Sequence, residues 1–145
     1  MVSTERPKNF KPKFEVVSCI LESEGKLLCL LRQDYKPQGN KWGLPAGKVD
    51  TGETPIKAIT REVKEEIGHD LVQSSLKYFK SFYVVYYDYS FIYHVHHYPI
   101  NSKPKIIINK VEHKEYKWVT PQEFLNLDLV QDEAPCIMDF YKIKS

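Results

Sequence analysis

The spacing of apolar positions changes along the chain in a way that separates strands from helices. Phe14 to Leu21 partly alternate, and Lys26 to Leu31 form a short apolar run, with Ser23-Glu24-Gly25 between them as a turn. That order predicts a β-hairpin, with Gly25 supplying the permissive backbone of the turn. Lys36 to Gly52 shows no helical period and holds four of the six glycines along with Pro37 and Pro45. It reads as a loop with a short strand near Trp42 to Leu44, the kind of segment that carries function. From Thr54 to Gly68 the period becomes helical. Ile56, Ile59, Val63 and Ile67 make one apolar stripe, Thr54 is a cap, Pro55 occupies the first helical position and Gly68 ends the helix.

The next stretch, Leu76 to Ile100, is rich in Tyr, Phe, Val and Ile. These residues favour strands, and Asp88 marks a turn between Lys77–Tyr87 and Ser90–Tyr98. Asn101-Ser102-Lys103-Pro104 breaks the hairpin. Lys114 to Thr120 reads as another strand, Pro121 to Leu127 as a short helix capped by Thr120, and Asp132 to Ile143 as a last helix with Pro135 in its first turn. Strands, loop, helix, strands and two helices predict an α/β or α+β domain with a mixed sheet. They do not predict a regular βαβ alternation. Neither GxGxxG nor GxxxxGK[ST] occurs.

Length and composition add limits. A chain of 145 residues points to one domain, assigned to residues 14–145 behind a loose arm at residues 1–13. With 21 basic and 19 acidic side chains and a net charge of +2, the balance does not announce a nucleic-acid partner. Cys19, Cys29 and Cys136 are odd in number and far apart, so they read as buried thiols in a reducing compartment. No run has the ~18 apolar residues of a membrane helix, and the basic start lacks the apolar core of a secretory signal. The expected location is the cytoplasm.

The chemistry concentrates on the Thr54 helix. At about 100° per residue, Glu62, Glu65 and Glu66 share one face beside the apolar stripe. Carboxylates that close repel, and a divalent cation reverses the sign. Magnesium suits them because it prefers hard oxygen ligands and shares phosphate oxygens. Glu53 lies eight positions before Arg61, and Gly47 six before Glu53. The string Gly47, Glu53, Arg61-Glu62-Val63-Lys64-Glu65-Glu66-Ile67-Gly68 resembles the Nudix box, GX5EX7REUXEEXGU with U aliphatic. Every fixed letter matches and Val63 satisfies the first U, while His69 stands where the second is wanted. Ala46 replaces a glycine common before the box in Leu44-Pro45-Ala46-Gly47. Trp42-Gly43-Leu44-Pro45 resembles the family's entry to the box, and Glu112-His113, Trp118-Val119 and Glu123 resemble its downstream segment.

The resemblance implies an α/β/α sandwich, a mixed sheet between helices with the box as loop-helix-loop. It also implies hydrolysis of a pyrophosphate bond in a nucleoside diphosphate-linked compound. Carried onto this chain, Glu62 and Glu66 are the metal ligands, with the Ala46 carbonyl as a further candidate. Glu65 is the third ligand or the group that takes the proton from water. Glu53 and Arg61 orient these carboxylates. Glu112 is the candidate for a fourth carboxylate from a distant loop, with Glu115 as its rival. Lys48 and Arg32 are candidates for phosphate oxygens. The implied cofactor is Mg2+, with Mn2+ as the alternative, and the implied partner is a nucleotide-like small molecule, with the chain a monomer or homodimer.

His94, His96 and His97 read as ordinary strand residues, and most tyrosines between Tyr78 and Tyr98 as packing residues, with base stacking as the alternative. Val85 stands where ADP-ribose hydrolases carry proline, and Tyr86 where dinucleoside polyphosphate hydrolases show tyrosine. Lys48 and the short chain resemble the MutT-like nucleoside triphosphate pyrophosphohydrolases most. The competing reading is a catalytically silent nucleotide sensor or RNA-contacting module.

Overall fold

Residues 17–21 are all fully buried, which requires a strand covered on both faces. The computed structural model, which describes residues 1–144, shows how this arises. The elements run β1 (Val2–Ser3), β2 (Phe14–Ser23), β3 (Lys26–Arg32), β4 (Trp42–Gly43), β5 (Ala46–Lys48), α1 (Pro55–Ile67), β6 (Lys77–Val85), β7 (Ser90–Pro99), β8 (His113–Val119), α2 (Pro121–Leu125) and α3 (Glu133–Tyr141). The strands form one mixed sheet in the order β1-β6-β7-β2-β3-β4, with β5 also paired to β2 and β8 to β3. The β2–β7 pair is parallel, Val17 opposite His94, and the other pairs are antiparallel.

Two cores follow from the alternation of side chains along β2. Val17, Cys19 and Leu21 point to one face, where they meet Ala58, Ile59, Val63 and Ile67 of α1. Ile20 points to the other, against Phe124 of α2 and Cys136 and Ile137 of α3. The expected α/β/α sandwich is what forms. The three cysteines are free and buried, and burial pushes the Cys29 thiol up to about 12. Among the described residues, no helix is long and apolar enough to cross a membrane.

Several boundaries differ from the expectations. The first hairpin turns on Glu24 and Gly25 alone, with φ of 53° and 77°. A two-residue hairpin loop requires that left-handed pair, so β2 runs on to Ser23. The arm is not loose throughout: Val2 pairs with Val84, and Phe10 is buried with its ring edge 5.3 Å from Tyr83. The long loop also contains β5, three residues too polar and too short to show a period. The apolar stripe of α1 is displaced, because Ile56 is 43% exposed while Ala58 is fully buried. At the first turn the helix has not yet reached the sheet.

That displacement gives a paired test. Ile59→Ala is expected to lower unfolding free energy by about 2–5 kcal/mol, the usual range for emptying a core aliphatic site. Ile56→Ala is expected to change it by less than about 0.5 kcal/mol, as for surface substitutions. Urea unfolding of the two variants checks both, and equal losses would return Ile56 to the core.

Candidate active site

Helix α1 is set at both ends by its own sequence. Thr54 Oγ1 accepts from the Lys57 amide at 3.2 Å, Pro55 opens the first turn, and Gly68 closes the helix at φ 72° with its amide on the Lys64 carbonyl. The preceding loop is tied to the helix by one side chain. Arg61 grips Glu53 with two parallel bonds, Nε to Oε2 at 2.8 Å and Nη2 to Oε1 at 2.9 Å. Its Nη2 also donates to the Lys48 carbonyl at 3.0 Å, and its Nη1 to Glu62 at 2.8 Å and Glu65 at 3.4 Å. Planar bidentate pairing of this kind fixes both partners. Arg61 holds the Glu53 carboxyl well down, at about 2.

The three helix glutamates differ in environment. Glu65 is more than half exposed, whereas the Glu62 side chain is 15% exposed and Glu66 only 9%. Glu66 reaches the loop and accepts from the Ala46 amide at 2.8 Å. Burial, and then the neighbouring charge of Glu62, raise the Glu66 carboxyl well above its ordinary range. Burial raises Glu62 too, opposed by Arg61. The loop backbone lies so close that a Cβ at Gly47 would fall inside the Glu62 carboxyl group. Glycine is required there for contact, not for backbone freedom.

A second loop closes the other side. The amides of Ile107 and Asn109 donate to the Ile67 and Glu66 carbonyls, which satisfies the free C-terminal end of α1. This docks Glu112 and His113 beside the carboxylates. The charges of Glu112 and Arg32 both act on Glu66, and His113 Nδ1 lies 3.9 Å from Glu66 Oε2. His113 is pushed down to about 4, first by burial and then by Arg32. Glu112 itself pairs with Lys36 at 3.1 Å. Glu115 lies on the exposed part of β8 opposite Leu31, away from this cluster.

The donor set fits a divalent cation by its chemistry. A buried carboxylate, Glu66, and a half-buried one, Glu62, repel each other, and Glu66 is stabilised by the Ala46 amide and the charge of Arg32 alone among the groups that act on it. Buried negative charge of this kind calls for a cation with a taste for oxygen. Among the described residues no three acidic or histidine side chains already converge as a ligand set. Arg61 bridges Glu62 and Glu65 instead.

Beside the carboxylates, on the α3 face of the sheet, lies a cavity of about 490 Å³. Ala46 and His113, both of which touch Glu66, form part of its wall, and Lys13, Lys48 and Arg32 line it as well. Phe14, Tyr86, Tyr89 and Phe91 also line it as an aromatic cluster, Phe14 stacked on Phe91 at 5.4 Å and Tyr86 edge-on to Tyr89 at 5.2 Å. The volume is within the range of small-molecule pockets. Lys48 Nζ rests 4.2 Å from the centre of the Phe14 ring, and Arg32 Nε donates to the Pro37 carbonyl at 2.7 Å.

With this geometry stands the match of a family model described as a NUDIX domain, which covers residues 12–140. The chain belongs to the Nudix family of hydrolases. It is 26% identical over 134 residues to the CTP pyrophosphohydrolase of Escherichia coli strain K12, covering 90% of this chain and 93% of that one. Nucleoside triphosphatase NudI of Escherichia coli O139:H28 (strain E24377A / ETEC) is 24% identical over 131 residues, 79% of this chain and 86% of NudI. In fold it is similar to a MutT protein from Methanosarcina mazei Go1, with a TM-score of 0.77, 24% identity and coverage of 91% and 94%.

The Nudix-box departure at His69 falls on the helix exit. Its ring meets Tyr98 edge-on at 5.8 Å and its Nε2 is buried without a partner. The strand histidines bond neighbouring strands: His94 to Ser81 and Glu15, His97 to Glu22, and His96 to the Ser18 carbonyl. Tyr86, Tyr89 and Tyr93 serve the cavity as well as the packing, a division the tyrosine-rich run did not reveal. The sequence reading missed Glu133 altogether. This carboxyl, at the start of α3, is 3% exposed and lines the cavity. It accepts from Tyr93 Oη at 2.8 and 3.1 Å and from the Leu44 amide at 3.3 Å. The available signal was a glutamate in the first turn of a helix whose other early residues are apolar, and that pattern equally describes a favourable charge at a helix start.

Burial pushes Glu133 up to about 7, against the pull of Tyr93 and Leu44. A carboxyl raised in the folded state holds its proton there when the unfolded chain has lost it. The contribution of Glu133 to stability therefore falls as pH rises from about 4.5 to about 7, then levels. Glu133→Gln is expected to abolish this fall and to gain on the parent protein by about 3 kcal/mol at pH 8 relative to pH 4. The check is the difference in urea unfolding between parent and variant at several pH values in chelator. A constant difference would remove Glu133 as a titrating group.

Proposed function

We propose that this chain is a divalent-metal-dependent pyrophosphohydrolase acting on nucleoside triphosphates. The observation that carries the reading is the contiguity of two unlike surfaces: the half-buried Glu62 and buried Glu66 carboxylates beside an aromatic cavity lined by Lys13, Arg32 and Lys48. A triphosphate and a base need such neighbours. The names of the two enzyme relatives support the same substrate class.

Glu62 and Glu66 would hold the cation, with Ala46 beside them. A bound divalent ion supplies the Lewis acid that polarises a phosphoryl oxygen and acidifies water. Arg61 orients Glu62 and Glu65 and ties them, through Glu53, to the loop. Glu65, the exposed member, either completes the ligand set or takes the proton from the attacking water. Glu112 is the further carboxylate, already within the field of Glu66, and Lys36 steadies it. Lys48 and Arg32 neutralise phosphate oxygens, and stabilising charge that develops during attack is the main task in such reactions. Phe14, Tyr86, Tyr89 and Phe91 give the base a stacking surface.

Release of pyrophosphate and phosphate is the measurement, over canonical and oxidised triphosphates, ADP-ribose, nucleotide sugars and dinucleoside polyphosphates, with Mg2+, Mn2+ or chelator. Release from triphosphates is expected with metal and none with chelator. Glu66→Gln should lower kcat by roughly 100-fold or more, the scale of losing one main electrostatic group, with an unchanged circular dichroism spectrum. Normal turnover in both Glu65→Gln and Glu66→Gln would overturn the assignment. Nucleotide binding with no product would favour a sensor.

A further inference from the structure

Glu112 sits on a turn that belongs to no strand or helix, yet its charge reaches Glu66. A carboxylate brought to an acidic face is repelled from it, so its place there has to be held. The holder is the loop of residues 33–41 between β3 and β4. Gln33 donates twice, from its amide to the Glu112 carbonyl at 3.0 Å and from Nε2 to the Lys110 carbonyl at 2.7 Å. Tyr35 Oη donates to the Val111 carbonyl at 2.6 Å, and Lys114 donates to Asn40 Oδ1. These bonds fix the backbone of the turn and leave the Glu112 side chain free to rotate. Among the described residues one side chain bonds that carboxylate, Lys36, from Nζ to Oε1 at 3.1 Å. The charges of Lys36 and Arg32 both act on His113, the next residue along, but Arg32 is engaged by the Pro37 carbonyl. A partly exposed pair such as Lys36–Glu112 adds little to stability. Its consequence is placement.

We infer that Lys36 is a positioning residue, which holds the Glu112 carboxylate beside Glu66 against the repulsion of the acidic face, so that a divalent cation bound there gains a further negative neighbour. This rests on the metal-site reading above. Lys36 has two physical effects of opposite sign. As a bare positive charge it repels a divalent ion, and its loss would tighten binding. As the holder of Glu112 it keeps a negative charge near the ion, and its loss weakens binding. Outer groups that orient the groups around a metal are worth about 10- to 100-fold in affinity or activity, so the second effect outweighs the first.

Binding of Mn2+ alone, followed by the electron paramagnetic resonance of the free ion, reads that sign without any substrate. The parent protein is compared with Lys36→Met, Glu112→Gln and the double variant. Lys36→Met is expected to weaken Mn2+ binding by about 10-fold and Glu112→Gln by at least as much, with no further loss in the double variant. Lys36→Arg, which still donates to the carboxylate, should bind as the parent does. With a triphosphate and metal, kcat should follow the same pattern while KM changes little. Mn2+ binding that is tighter or unchanged in Lys36→Met would overturn the inference. So would a Lys36→Met loss as large in the Glu112→Gln background as in the parent. A rise in KM at constant kcat would make Lys36 a phosphate contact instead. The expected Mn2+ pattern with no turnover of any triphosphate sinks only the hydrolase reading, and turnover with no coupling between Lys36 and Glu112 sinks only this inference.

Discussion

The approach of the loop backbone to the acidic face of α1 is the contact on which the site depends. The Ala46 amide bonds Glu66, and Gly47 leaves no room for even a methyl group against Glu62. Two carboxylates pressed against a peptide chain on a buried surface lose hydration, and each raises the energy of the other. Arg61 partly offsets this, and it can because Glu53, eight residues earlier, fixes the guanidinium in a bidentate grip. The fixed letters of the box are therefore one mechanical unit. Gly47 permits the approach, Glu53 and Arg61 hold it, and Glu62 and Glu66 are what is held.

The sheet makes that unit possible by placing its loop on the central strand. β5 pairs with β2 at Ser18–Ala46, so the residue that bonds Glu66 is anchored in the best-buried strand of the fold. β2 also carries α1 through Val17, Cys19 and Leu21. Helix and loop are thus referred to the same backbone, and their separation does not depend on the mobility of either. The last wall is set by main-chain bonds from residues 107 and 109 to the end of α1, so a loop without regular structure still delivers His113 to a fixed place.

Much of this was legible because it is local. Caps, stripe and stop of α1 lie within fifteen consecutive residues, and the box spacing needs no tertiary knowledge. The hairpins followed from residue type and turn chemistry, with errors of one or two residues at their ends. What was hidden is non-local. β5 is a strand only because β2 offers it an edge. Phe10 is buried only because Tyr83 lies across from it. Ile56 obeys the helical period and still faces solvent, because periodicity gives a direction and not the distance to a partner. Glu112 and Glu115 were not separated by spacing: Glu115 pairs opposite Leu31 within β8, whereas Glu112 precedes that strand and its charge acts on Glu66. Glu133 is the fullest case: its partners, Tyr93 and Leu44, stand 40 and 89 residues away in sequence.

The two buried carboxyls share a ruler. The Leu44 amide bonds Glu133 and the Ala46 amide bonds Glu66, two residues along one short segment that Pro45 stiffens. Glu133 starts α3 on one face of the sheet, and Glu66 lies near the end of α1 on the other. The segment between them is the physical link from cavity to box. A shift of this segment that suits one carboxyl disturbs the other, so the wall of the cavity and the acidic face of α1 are set together. Directed bonds from a stiff piece of backbone give that coupling, and they require each carboxyl to be buried where its charge is least comfortable. The raised proton affinities of Glu66 and Glu133 are the electrostatic consequence of that geometry, and the large cores on both faces of β2 supply the stability that tolerates it.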